Sequence, residues 1–378
     1  MIGRQLTRRE LLARTGGGLG AIALHDLLVQ EGLGDDRQTP ASKTNSGVLP
    51  QPHHAPQAKR VIYLFQSGGP SQLETFDYKP TLIERTGEPL PDSVRQGQRL
   101  TGMSGNQSIL PMAGSVFPFQ QHGENGAWVC DLLPHTAGIV DELAIIRSMS
   151  TEAINHDPAI TMLQTGVQLA GRPSIGAWLN YGLGSGNRDL PSFVVLVTKD
   201  KGGQPLYARL WGSGFLPSGN QGMQFRAGRE PVLFLNNPAG VDRESRGRLL
   251  TSLNKLHELE QQATGDPELE SRIAQYEMAF RMQTSVPEVT DTSSEPASTF
   301  ELYGEDAKTP GTFAANCLLA RRLAERGVKF IQLYHQGWDQ HANLLYGITR
   351  QCQETDQATD ELIKDLKKSG LLQDTHVI

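Results

Sequence analysis

Apolar residues along the chain gather in short runs set between amphipathic or polar stretches. The runs at 59–65 (KRVIYLF), 192–198 (SFVVLVT) and 328–334 (VKFIQLY) predict short buried strands. Between 131 and 149 the pattern DLLPHTAGIVDELAIIRSM predicts a helix followed by another buried strand. The stretch DPAITMLQTG, with Asp157 as N-cap, Pro158 at the first turn and Gly166 at the exit, predicts a helix over 158–165. Two long polar helices, DRESRGRLLTSLNKLHELEQQA and PELESRIAQYEMAFRMQ, fill 241–284, and SVPEVTDTSSEPAS at 285–298 reads as a surface linker. TFAANCLLARRLAER then gives a helix capped by Gly327 ahead of the 328–334 strand, and the last segment is an amphipathic helix, a Gly370 cap and the start of a strand. Strand and helix alternate as in an α/β fold with a parallel sheet. The chain stops within its last strand, which predicts a piece of a longer protein or a truncated product.

Two regions lack this periodicity. Residues 78–126, rich in Gly, Pro and Gln, predict a long excursion across the strand ends, where specificity is often carried. Residues 34–58 are polar and Pro-rich and predict a flexible tether. Ahead of them, QLTRRELLARTGGGLGAIALHDLL sets Arg8 and Arg9 before a mild Gly-rich apolar stretch, the layout of a twin-arginine export signal over 1–33. His25 and Asp26 interrupt that stretch, so a basic amphipathic start is the competing reading.

Composition narrows the function classes. Lys and Arg number 35 against 41 Asp and Glu, and a net charge of −6 gives no general attraction for nucleic acid or anionic lipid. No run of 18 apolar residues predicts a membrane span. Forty glycines and 22 prolines suit a loop-rich enzyme-like domain better than a helical array. Cys130, Cys317 and Cys352 form no CxxC pair and read as buried thiols.

Three stretches carry candidate chemistry. In NHDPAITMLQTG, His156 stands at a helix mouth, where free backbone N–H groups favour anions and an imidazole can hold a metal; a plain polar cap is the competing reading. QSGGPSQLETFD follows the first strand directly, so Ser71, Glu74, Thr75 and Asp77 fall at the sheet edge where open α/β folds bind ligands; a plain turn with dipole-suited acids explains it equally well. In WDQH, Asp339 and His341 stand two apart after the 328–334 strand, a pair that converges on one ion if the loop curls, with zinc, manganese or iron as suitable partners.

Taken together, the twin-arginine start, LFQSGGPSQLETFD, NHDPAITMLQTG, RPSIGAWLNYGLG, CLLARRLAERGVKFIQLYHQGWDQH and the final helix and strand resemble an exported bacterial family, the domain of unknown function 1501, along essentially the whole chain. That family resembles the sulfatases and alkaline phosphatases. The resemblance implies an α/β, parallel-sheet three-layer sandwich over 59–378 with metal ions and a nucleophile at the carboxyl edge. The sulfatase pattern CxPSRxxLxTG lays His156 on the formylglycine position, with Pro158, Leu163, Thr165 and Gly166 matching and Ala159 and Ile160 in place of Ser and Arg. Formylglycine cannot form from histidine. The paired aspartates that sulfatases carry after the first strand are replaced by Gln66, Ser67, Gly68 and Gly69, and Gln72 and Glu74 depart from the family's usual GGPSHLDTFD. The family's later GEFGRT segment and Asp-His pair are absent from this chain.

These readings combine into an exported, periplasmic or cell-envelope hydrolase that uses a divalent metal (Zn, Mn or Ca) on a small ester or a sulfated or phosphorylated glycan. His156, Asp339 and His341 are its first ligand candidates, Glu74 and Asp77 the next, with His156 and Ser71 as catalytic candidates. The rival is a non-catalytic envelope protein that binds a glycan or partner through 78–126 on the same scaffold.

Overall fold

Alternation within the strands decides how the sheet is clothed. The structure, a computed structural model, describes Val48, Leu49 and residues 53–378 apart from 98, 99, 101, 103, 205, 229, 234, 265 and 266. The export signal read over 1–33, and most of the 34–58 tether, lie outside the described residues. Seven strands occur among them: β1 (Arg60–Ser67), β2 (Phe119–His122), β3 (Ala127–Cys130), β4 (Phe193–Val197), β5 (Met223–Phe225), β6 (Phe330–Gln336) and β7 (Thr375–Val377). Five form one sheet in the order β5-β4-β6-β1-β7 with every pairing parallel, while β2 and β3 make an antiparallel hairpin inside the 78–126 excursion and its exit. In register, Tyr63 faces Gln332 and Ser67 faces Gln336.

The central strand β6 is buried along its whole length. Ile331 and Leu333 enter a core with Val194 and Leu196 of β4, while Phe330 and Tyr334 enter a second core with Phe193 and Val195. Of six longer helices, α1 (His156–Thr165), α2 (Ile175–Leu183), α3 (Arg243–Thr264), α4 (Pro267–Thr290), α5 (Phe313–Glu325) and α6 (Leu344–Lys368), all but α3 clothe these faces, and α3 packs on α4. Met282 and Val286 of α4, Leu318 and Leu323 of α5, and Leu362 and Leu366 of α6 pack into the first core, and Ile160 of α1 packs into the second with Leu210 and Trp211. The result is an α/β protein with helices on both faces of a parallel sheet, the architecture that such fully buried strands require.

Helix α1 sits on a partly polar floor. Gln332 Nε2 of β6 donates to Gln164 Oε1 at 2.6 Å, with both residues buried. Gln164 Nε2, Gln332 Oε1 and the Tyr334 hydroxyl nearby are buried without a hydrogen-bond partner.

Three expected details differ. Helix α1 begins at His156 with Asn155 as N-cap, so Asp157 lies inside the helix and pairs with Arg209 instead of capping. Of the helix and buried strand expected over 131–149, only the four-residue helix Pro134–Ala137 and a short 3-10 turn form; Ile146 and Met149 are 67% and 75% exposed, because a short apolar run becomes a strand only where a ladder partner is offered. The surface linker expected from 285 begins only after Thr290, since α4 continues through Pro287 and buries Val286 and Val289. The distant Arg322 makes that possible by donating to the carbonyls of Glu288 (3.0 Å), Val289 (2.8 Å) and Asp291 (2.6 Å) at the helix end, while ion-paired to Glu295.

Candidate metal centre

Because all five strands of the sheet run in parallel, the turns after β1 and β6 meet at one edge. Trp338 N donates to Ser67 O at 3.2 Å, carrying the β1–β6 ladder one step past β6. Gly68 follows with φ +130°, and a Cβ there would stand 2.8 Å from Asp339 N and 2.9 Å from Trp338 C. Only glycine permits this approach of backbone to backbone. Gly337 has φ +101° and a Cβ there would meet Gln351 Nε2 at 2.1 Å, so both turns are glycine-dependent. The Trp338 ring, 4% exposed, anchors the loop among Val129, Ile348 and Cys352. Gln340 Nε2 closes the loop on Gly337 O at 2.5 Å.

On this curled loop Asp339 meets both imidazoles. His156 Nε2 lies 2.9 Å from Asp339 Oδ2, and His341 Nε2 lies 2.9 Å from both Asp339 oxygens. One ligand atom from each of the three residues falls within 4.8 Å of the others. The side chains are 42% (His156), 21% (Asp339) and 52% (His341) exposed, so the cluster opens to solvent. A single ion about 2.1 Å from each donor needs neighbouring donors about 3.4 Å apart, so the two His–Asp contacts would each have to open by about half an ångström for these residues to hold one. Neither Nδ1 has a protein partner among the described residues, which leaves water to orient the rings.

Glu74 and Asp77 are not in this cluster. Glu74 is 4% exposed and accepts a hydrogen bond from Ser115 Oγ, while Asp77 pairs with Lys79 at 2.9 Å and lies 4.0 Å from Arg147. Ser71 opens the short 3-10 turn Gln72–Glu74, and its carbonyl accepts from the Thr75 hydroxyl at 3.1 Å. No base among the described residues hydrogen-bonds the Ser71 hydroxyl.

Three residues at this edge carried no flag in the sequence. Arg209, on the 3-10 turn Ala208–Trp211 that packs on α1, pairs with Asp157 beside His156 and lies 4.2 Å over the Tyr207 ring. Gln204 accepts from Gly337 N at 2.9 Å through Oε1 and from Gln336 Nε2 through its carbonyl. His335 is fully buried; burial pushes its pKa down from 6.5 to about 4. Its partners suit the neutral ring, with Thr198 Oγ1 donating to Nδ1 (3.2 Å) and Nε2–H donating to Gln351 Oε1 (2.9 Å). His335 is readable only as one more polar letter in an apolar strand, and Arg209 and Gln204 lie in loops without periodicity.

Sheet and cluster together define an α/β protein that carries a His-Asp-His set on the carboxyl edge of a parallel sheet. The chain belongs to the family described as protein of unknown function (DUF1501), which matches residues 58–378. No curated protein and no solved structure matches the chain.

Proposed function

We propose that this protein is a divalent-metal-dependent hydrolase of sulfate or phosphate esters on a scaffold of the alkaline phosphatase and sulfatase type, working without formylglycine. The observation that carries the reading is the convergence of His156, Asp339 and His341, 183 residues apart in sequence at their extremes of contact, on one small volume at the carboxyl edge. Two imidazoles and one carboxylate favour zinc or manganese over calcium, which takes oxygen ligands. A bound ion supplies polarisation of the ester oxygen and a water of lowered pKa, and three protein ligands leave positions open for both. The protein's own share is orientation. Asp339 holds the two rings together, and the free N–H groups at the start of α1 attract anionic oxygens, while Arg209 fixes that helix start through its pair with Asp157, the residue after His156. In this reading the chain is exported to the periplasm or cell envelope, on the strength of Arg8 and Arg9 before the Gly-rich stretch.

The test is metal content of the purified full chain by mass spectrometry, with hydrolysis of p-nitrophenyl phosphate and p-nitrophenyl sulfate before and after chelation. Stoichiometric metal and a rate lost on chelation, and lost again in His156→Ala and Asp339→Ala, are expected. Equal rates in all samples overturn the reading. The lack of a base at the Ser71 hydroxyl favours a second reading, a non-catalytic binding protein of the envelope, for which no hydrolysis of either ester is the expected result.

A further inference from the structure

Beside the His-Asp-His cluster, on the face of the sheet covered by α1, lies a cleft of about 480 Å³ whose lining holds no charged side chain. Its polar groups are three amides, Gln204, Gln224 and Gln336, one from each of a loop, β5 and β6; Trp211 contributes an aromatic wall, and Gly202 and Gly203 leave backbone open to a ligand.

Two of the amides are held in place by the protein and yet half unused. Gln204 and Gln336 are each 8% exposed. Gln336 Nε2 donates to Gln204 O, and Gln204 Oε1 accepts from Gly337 N at 2.9 Å. That leaves Gln204 Nε2 as a donor and Gln336 Oε1 as an acceptor, neither with a protein partner and neither closed off from solvent. Gln224 adds both ends of its amide without any hydrogen bond. A fixed donor beside a fixed acceptor complements neighbouring hydroxyls, each of which both donates and accepts. An aromatic wall with uncharged amides suits the ring of a sugar and offers nothing to neutralise a charge.

The cleft also adjoins the cluster. A Cβ on Gly68 would stand 3.0 Å from Gln204 Cδ and 2.8 Å from Asp339 N, so the amide and the ligand loop flank a single point.

We propose that this cleft is a binding site for an uncharged, hydroxyl-rich sugar ring, recognised through Gln204 Nε2, Gln336 Oε1 and the Gln224 amide. Its role as the seat of the alcohol portion of the substrate rests on the hydrolase reading; the binding itself does not. The ester carried by the ring then reaches His156 and Asp339, while charge stays outside the cleft.

The probes are methyl glycosides of glucose, galactose, mannose, xylose and N-acetylglucosamine, added to the full chain and read by saturation-transfer NMR and titration calorimetry. Two variants avoid the residues that hold the loop. Gly202→Trp fills open space, since a Cβ there meets nothing within 4 Å. Gln224→Leu removes an amide that holds nothing else. At least one glycoside is expected to bind, with affinity lost in Gly202→Trp and reduced about tenfold in Gln224→Leu. Unchanged metal content and thermal unfolding should accompany both. No binding by any glycoside, or undiminished binding in Gly202→Trp, overturns the sugar site. His156→Ala and chelation separate the two readings: sugar binding that survives while hydrolysis is absent from the start sinks the hydrolase and leaves the site standing, and hydrolysis of aryl esters without sugar binding does the reverse.

Discussion

Replacing Gly68 with alanine tests whether the glycine turn after β1 sets the position of Asp339. The new Cβ would lie 2.8 Å from Asp339 N and 2.9 Å from Trp338 C, where ordinary contact begins at 3.4 Å, and both obstacles are backbone. Opening that contact moves the ligand loop by about half an ångström, the tolerance within which a ligand set keeps its geometry. The backbone at φ +130° adds strain of about 1 to 3 kcal/mol for any residue with a side chain, and overpacking adds about 1 to 3 more. A destabilisation of about 2 to 6 kcal/mol follows, with weakened zinc binding. Gly69 provides the internal control: its φ is +100°, but a Cβ there meets nothing within 4 Å, so Gly69→Ala carries the strain alone. Guanidinium denaturation of both variants, with zinc affinity measured by competition against a chelating dye, reads the two effects separately. Equal stability losses, with zinc affinity unchanged in Gly68→Ala, would refute the proposed coupling of the two turns.

Other expectations follow from residues already described. Asp339→Asn and His341→Ala should lower zinc affinity by at least the ten- to hundredfold that changes around metal ligands produce, with little change in unfolding midpoint, because His341 is half exposed and Asp339 has only the two exposed imidazoles as side-chain partners; equilibrium dialysis decides it. His335, held neutral by burial with its pKa at about 4 against 6.5 when unfolded, contributes stability that is complete above pH 6.5 and lost as the pH falls toward 4. The loss is about 3 kcal/mol, and a pH series of denaturation midpoints should flatten in that window for His335→Gln. Arg322→Met strips three carbonyls of their donor and leaves Glu295 to Arg321 alone, and should cost about 3 kcal/mol, visible as a lower Tm; a shift within 0.5 kcal/mol would dismiss the capping role.

The strands were legible where apolar residues run together. The windows at 59–65, 192–198 and 328–334 fall on β1, β4 and β6, and the position of WDQH just after a strand made Asp339 and His341 visible as neighbours of an edge. Their meeting with His156 was a spatial matter, settled by how α1 lies on the sheet. Glu74 and Asp77 look equivalent to them by composition, but the partners that hold them away from the cluster include Ser115 and Arg147, which lie on other segments. The hairpin β2–β3 carries no strand pattern because three of the four residues of β2 are polar, and β5 carries none because three residues hold too little periodicity. The helical course of 285–290 depends on Arg322, more than thirty positions onward, and no local pattern contains that.

The buried amide pair under α1 bears on how firmly the first imidazole is placed. A helix resting only on aliphatic side chains can settle at several neighbouring depths with little difference in energy. Sliding α1 by one turn would carry His156 about 5.4 Å, far outside the 2.9 Å that joins it to Asp339, and would also strand both Gln164 and Gln332 in a dry interior. Wrong seatings are thus penalised beneath the helix, at a depth where no solvent compensates, and the alignment of the His-Asp-His edge is inherited from a contact that never touches it.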